Sequence, residues 1–248
     1  MEFILEQVVN GLITGSMYAL VAAGMTMIFG VLRAINFAHG EYYMLGTFGA
    51  WYVIERLSID YSVAIILGVF IAAIIAAVIG RFVMQRLIGA PFQAGVLATI
   101  GISLILQNSV ILAFGGGYKV FPGGWIEPVE IFGLGMAQQR IVLIVVAVVV
   151  FASLEWMVRA TRMGKSIRAV SQNIECCQVN GIDVEKVVWR TFLLGTALAA
   201  LSGVLLGIVE SLVAGVLGLQ YRDSVGFIAL LLMLMLRPQG LFSQKARF

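Results

Sequence analysis

Apolar positions along the chain come in long runs separated by short polar segments. Residues 8–29, 37–54, 62–82, 95–114 and 141–157 are each dominated by Leu, Ile, Val, Ala, Met and Phe. About 20 such residues, rising 1.5 Å each as a helix, cross the hydrocarbon of a bilayer, so each run predicts a membrane-crossing helix. Residues 187–218 are uncharged apart from Arg190 and Glu210 and too long for one straight span, so a span plus a shorter half-membrane piece is expected there. Residues 225–236 form a last, short run that Arg237-Pro238 ends, because proline cannot continue a helix. The predicted fold class is all-α, a polytopic transmembrane helical bundle of about six to eight spans.

Charge gives the bundle an orientation. The segment 159–190 holds Arg159, Arg162, Lys165, Arg168, Lys186 and Arg190 against Glu175, Asp183 and Glu185. Lys and Arg accumulate in cytoplasmic loops, which puts this segment inside. Working back, the 115–139 loop, with Lys119 as its lone base before Gln139, falls on the periplasmic side. Arg81 and Arg86 then fall inside, Asp60 outside, Arg33 inside and the N-terminus outside, while Arg237, Lys245 and Arg247 come out inside. Residues 1–248 thus form a single transmembrane domain with a cytoplasmic loop at 159–190 and a periplasmic loop at 115–139. In the latter, Gly115-Gly116-Gly117 and Phe121-Pro122-Gly123-Gly124-Trp125 are turn signals, and a short hairpin or loop cap is expected. The opening Met1-Glu2-Phe3 carries no basic region or cleavage site, so the first span is expected to remain in the mature protein.

Composition closes off other classes. Apolar residues make up 61% of the chain and charged ones 12%, with a mean hydropathy of +1.02; soluble domains carry about a quarter charged residues. Lipid is therefore the expected surroundings. The net charge of +3 comes without a long basic run, which argues against nucleic acid as a partner. Cys176 and Cys177 are adjacent, so neither a disulfide framework nor a metal-ligand spacing is available.

Within the spans, small residues recur every fourth position: Gly11, Gly15, Ala19 and Ala23; Ala72, Ala76 and Gly80; Ala199, Gly203, Gly207, Ser211 and Gly215. Such faces let helix backbones approach closely, and they either serve tight packing, line a path or meet a second subunit. In the 159–190 loop Ile167, Val170, Ile174 and Cys177 share one helical face opposite Arg168, Gln172 and Glu175, and Asn180-Gly181 supplies a left-handed stop. One amphipathic helix is expected, either a docking plug or a helix lying flat on the membrane. Gly164-Lys165-Ser166 ends like a phosphate-binding loop, but Arg159 stands where its first glycine belongs and a span precedes it.

Polar residues at membrane depth are costly unless paired. Asn36, His39 and Glu41 cluster at the start of the second run, Gln107 and Asn108 lie mid-span, and Thr14 and Tyr18 lie one turn apart on the first. His39 and Glu41 are expected to form a structural pair, and the other polar side chains either bridge helices or hydrogen-bond a zwitterionic solute. No second histidine completes a metal site, and no nucleophile with its base can be assembled.

The run Glu175-Cys176-Cys177-Gln178-Val179-Asn180-Gly181 resembles the Glu-Ala-Ala-x-x-x-Gly coupling motif of ABC-importer permeases, with cysteines where alanines are usual. The flanking Gly164-Lys165-Ser166-Ile167-Arg168-Ala169-Val170-Ser171-Gln172-Asn173 and Gly181-Ile182-Asp183 are similar to the same loop in high-affinity branched-chain amino acid permeases. So are Asn10-Gly11-Leu12 with Gly15-Ser16-Met17-Tyr18-Ala19-Leu20, Ile35-Asn36-Phe37-Ala38-His39-Gly40-Glu41, and Arg237-Pro238-Gln239-Gly240-Leu241-Phe242. The matches follow in order through nearly the whole chain. One departure stands out: such permeases carry a further glycine-rich hydrophobic stretch between the counterparts of Gly207 and Ile208, and here the two are adjacent.

The resemblance implies a multi-pass permease subunit in a bacterial inner membrane, importing branched-chain or related small amino acids by alternating access. It implies a homologous second permease, two cytoplasmic ATP-binding subunits that hold ATP and Mg, and a periplasmic substrate-binding protein. This chain would hold no cofactor and would not be an enzyme. Arg168, Asn173, Glu175, Cys176, Cys177, Gly181 and Asp183 would make up the ATPase-coupling loop, and Thr14, Tyr18, Asn36, His39, Glu41, Gln107 and Asn108 the substrate pathway. Related systems carry urea or short amides. A stand-alone secondary carrier or channel would instead need intramembrane charges for ion coupling, for which Glu155 and Glu210 are available.

Overall fold

The computed structural model of the chain describes residues 2–32, 35–117, 119, 121, 128–131 and 134–217, with the side chains of 2–10, 12, 14, 128–131, 134–140 and 208–217 left out. Two compact units divide it at Gly207 and Ile208. Of the second unit the described part is helical backbone to Leu217; the run 225–236 and Arg237-Pro238 lie outside the described residues.

Long helices make up the fold: α1 (Glu2–Leu32), α2 (His39–Leu57), α3 (Tyr61–Phe82), α4 (Phe92–Phe114), α5 (Gln138–Ala160) and α8 (Val184–Leu217), with the short α6 (Arg162–Gln172) and α7 (Ile174–Val179) joining α5 to α8. Among the described residues five helices are long and apolar enough to cross a membrane, on α1, α3, α4, α5 and α8. The expected division of residues 187–218 into a span and a half-membrane piece does not occur, because α8 is one helix to Leu217. No glycine or proline signal in that run is strong enough to break a helix whose backbone bonds are all internal.

Local chemistry sets the turns. Ser58 ends α2 in the left-handed conformation (φ 49°), and the Asp60 carboxylate accepts from Ser62 N at 2.9 Å to start α3. Gly89 and Gly115, with φ of 77° and 80°, bracket α4, whose start follows Pro91. The loop before α5 holds a two-stranded antiparallel hairpin, Pro128–Ile131 with Leu134–Ala137, in which Val129 faces Met136 across the ladder.

Small residues bring α8 into the middle of the first unit. A Cβ built on Gly46 of α2 would lie 2.8 Å from Ala200 Cα, and one on Gly195 would lie 2.7 Å from Gly24 O of α1. Gly203 abuts Tyr43 O in the same way. Around these contacts Tyr42 packs edge-on against Phe192, with ring centres 5.7 Å apart, and Ala72, Ala76, Ala199 and Ala200 fill the core. Gly80 continues the α3 row, where a Cβ would come within 2.9 Å of Phe192. The described members of two of the three small-residue rows therefore serve internal packing, Ala72, Ala76 and Gly80 on α3 and Ala199, Gly203 and Gly207 on α8, while the side-chain surroundings of Ser211 and Gly215 lie outside the described residues. The third faces outward: Gly11, Gly15 and Ala19 are exposed, and a Cβ on either glycine would meet nothing within 4 Å.

Candidate functional site

Two places gather the polar groups. The first is the start of α2. Five side-chain hydrogen bonds tie it to α1 and α4 or close it locally, and they also fix its depth. His39 Nε2 donates to Val21 O at 3.0 Å, a bond that requires the proton on Nε2 because a carbonyl only accepts. Val21 lies eleven residues from the Leu32 end of α1, about 16 Å at helical rise. Glu41 Oε1 accepts from Ser103 Oγ at 2.8 Å and Gln107 Nε2 at 2.7 Å on α4, and Ser103 is eleven residues, about 16 Å, from the Phe92 end. Thr99 Oγ1 donates to Ile35 O at 3.3 Å, and Asn36 Oδ1 accepts from Ala38 N at 3.2 Å. The start of α2 therefore lies beside the middle of α1 and α4. Its 19 residues, which include Glu41, Glu55 and Arg56, do not form a full apolar span of the kind expected for 37–54.

His39 and Glu41 do not pair with each other. Two residues apart on a helix they point to different sides, so one reaches α1 and the other α4. Both are buried, at 3% and 8% exposure, as is Asn36 at 3%. Asn108 turns back to Leu104 O on its own helix and is exposed, and Tyr18 is exposed on α1; the Thr14 side chain lies outside the described residues. The partners missing from the sequence reading, Thr99 and Ser103, stand eight and four residues before Gln107, so a polar row on α4 was available as the signal.

The second place is the connector between α5 and α8. Instead of one amphipathic helix there are two, because Asn173 leaves the helical conformation (φ −154°, ψ 112°) and its Oδ1 caps α7 by accepting from Cys176 N at 2.9 Å. Thr161 caps α6 through Gly164 N at 3.1 Å, so Gly164-Lys165-Ser166 sits in the first turn of a helix. Ile167, Val170 and Cys177 are buried against Val31 of α1 and Val184, Val187 and Val188 of α8. Arg168, Gln172, Glu175 and Cys176 are exposed, and Val179 is 89% exposed. Arg168 reaches back, donating from Nη1 to Val158 O near the end of α5. Gly181 turns at φ 75°, its N–H bonded to Gln178 O at 3.1 Å.

Asp183 then caps α8. Hydrogen bonds from Lys186, first from Nζ at 2.7 Å and then from its backbone N at 3.0 Å, hold its carboxyl below the usual carboxylate range. The depressed value means that this cap is favoured above the ordinary carboxyl pKa and weakens as the pH falls through the lowered one. Asn173→Ala should cost the α7 cap about 1 kcal/mol. Faster maleimide labelling of the buried Cys177 is the expected readout.

Helices of this length and apolar surface, with their buried polar contacts at mid-depth, define a multi-pass membrane protein. The family described as "branched-chain amino acid transport system / permease component" matches residues 7–236, and the chain belongs to it. It is 30% identical to the high-affinity branched-chain amino acid transport system permease protein BraD of Pseudomonas aeruginosa, over 97% of this chain and 96% of the relative. It is 29% identical to the high-affinity branched-chain amino acid transport system permease protein LivH of Salmonella typhimurium and 28% identical to its namesake in Escherichia coli K12, each over 98% of this chain and 96% of the relative. No solved structure matches. The 294 positions aligned with BraD exceed the 248 residues of the chain, so that relative carries residues with no counterpart here.

Proposed function

We propose that this chain is the permease subunit of a bacterial ATP-driven importer of branched-chain amino acids, working in the inner membrane with a homologous second permease. Two cytoplasmic ATP-binding subunits hold ATP and Mg and dock on the α6–α7 connector, and a periplasmic binding protein delivers the amino acid. The chain itself needs no cofactor. The observation that carries the reading is the connector's two-sidedness. Its apolar side is buried on α1 and α8, while Glu175, Cys176 and Val179 stand exposed at a capped, glycine-ended tip. A short rigid element anchored to two long helices moves them when it is moved, and Arg168 fastens it to α5 as well. Lys and Arg concentrated in 159–190 favour the cytoplasmic side, and the descriptions of the relatives favour the cargo.

A stand-alone carrier has less support. Of the two carboxylates named for ion coupling, Glu155 is exposed in a surface pair with Arg159 at 2.9 Å, and the Glu210 side chain lies outside the described residues. The test is purification through a tag on this chain followed by reconstitution. Recovery with ATP-binding subunits and a second permease, and ATPase activity stimulated by leucine, isoleucine or valine, is expected. Stimulation by urea or acetamide alone would reassign the cargo, and recovery of the chain without any ATPase would refute the coupling.

A further inference from the structure

Glu41 is a carboxylate largely removed from water, with two neutral donors on one oxygen and, among the described residues, no cationic side chain within ion-pair distance. A buried charge is stable only when something compensates it. At the same helix start, Asn36 spends its Oδ1 on Ala38 N, which fixes the other half of the amide beside the first turn of α2. That Nδ2 is buried and has no acceptor. The helix start carries no side-chain cap, and its amides close on the backbone, His39 N on Asn36 O and Glu41 N on Ala38 O. An unfilled donor just before a helix start and a carboxylate without a counter-charge five residues on complement a molecule with one negative and one positive end.

We propose that the start of α2 is the mid-membrane station at which the solute is recognised, and that it reads a zwitterion by both ends. The ammonium group binds the Glu41 carboxylate, and the solute carboxylate binds Asn36 Nδ2. This rests on the transport reading above and narrows its cargo to free α-amino acids, excluding urea and neutral amides at this site. Ser103 and Gln107 act as positioning residues that aim the carboxylate.

The experiment uses the complete complex in proteoliposomes with leucine and leucinamide, which keeps the ammonium and lacks the carboxylate. Glu41→Gln preserves the shape and can still accept from Ser103 and Gln107, so a purely structural role survives it, whereas recognition of an ammonium does not. Leucine uptake is expected to fall roughly a hundredfold with the complex recovered intact. Asn36→Asp keeps the bond to Ala38 N but puts an oxygen where the donor stood. It is expected to shift the preference from leucine towards leucinamide by about tenfold or more, and it decides the matter if the Glu41→Gln complex does not assemble. Leucine uptake by Glu41→Gln within about threefold of the unmodified complex, or an unchanged leucine-to-leucinamide ratio in Asn36→Asp, overturns the proposal. An unmodified complex that imports no amino acid refutes the function proposed above, a result separate from either of these.

Discussion

Leucine in place of Gly46 should prevent α2 from docking on α8. The added Cβ alone would lie 2.8 Å from the Cα and carbonyl carbon of Ala200, and backbone atoms cannot swing aside as a side-chain tip can. Forcing the helices apart opens the adjoining contact between Gly203 and Tyr43, which shares the same close approach. Overpacking a tight core costs about 1–3 kcal/mol; with the neighbouring contact opened as well, the upper end of that range is expected. Purified Gly46→Leu should show a markedly lower thermal midpoint and poor recovery from membranes. Gly15→Leu is the control, because nothing lies within 4 Å of its Cβ and the fold should not notice it. If the outward row of Gly11, Gly15 and Ala19 meets the second permease, Gly15→Leu should weaken recovery of that partner and leave the midpoint alone.

The other large effect is expected at Glu175. Lysine there reverses the charge in the first turn of α7 without touching a buried contact, since the side chain is exposed and makes no ion pair among the described residues. It also places a cation at a helix start, where the helix dipole favours an anion. Docking between oppositely charged groups that desolvate together loses about 2–5 kcal/mol when one partner is removed. ATP-dependent uptake by Glu175→Lys in membrane vesicles should therefore fall by more than about thirtyfold at unchanged protein levels. Gly181→Asp should act through geometry. At φ 75° a side chain is strained by about 1 kcal/mol, which tilts α7 away from its docking angle. Unimpaired uptake by both variants would detach the connector from coupling.

Much of the fold was legible because hydrocarbon forces a simple rule on the chain. Apolar runs at 62–82, 95–114 and 141–157 became α3, α4 and α5 with ends shifted by a few residues, since every backbone group must be satisfied inside its own helix. Periodicity also found the buried face of the connector, Ile167, Val170 and Cys177. It missed the break between α6 and α7, because Asn173 is tolerable within a helix and only its capping bond to Cys176 shows that it starts a new one. The depth of α2 was hidden for a different reason. Hydropathy gives the length of a run but not where the run begins relative to its neighbours, and the contacts from His39 to Val21 and from Glu41 to Ser103 and Gln107 are set by tertiary packing alone. The same limit led His39 and Glu41 to be read as a pair, although helical geometry sends them to different partners. Small-residue rows announced close packing on all three helices, yet only structure separates the rows of α3 and α8, which face the core, from that of α1, which does not.

The central claim is that the exposed tip of α7 lies on the cytoplasmic face under a bound ATPase. The two cysteines of the chain are Cys176 and Cys177, the first exposed and the second buried, so the unmodified protein carries its own reporter. A membrane-impermeant maleimide should label Cys176 in inside-out vesicles stripped of the ATP-binding subunits, should fail to label it in intact spheroplasts, and should be blocked when those subunits are restored. Labelling from the outer face, or labelling unchanged by the bound ATPase, would contradict the account.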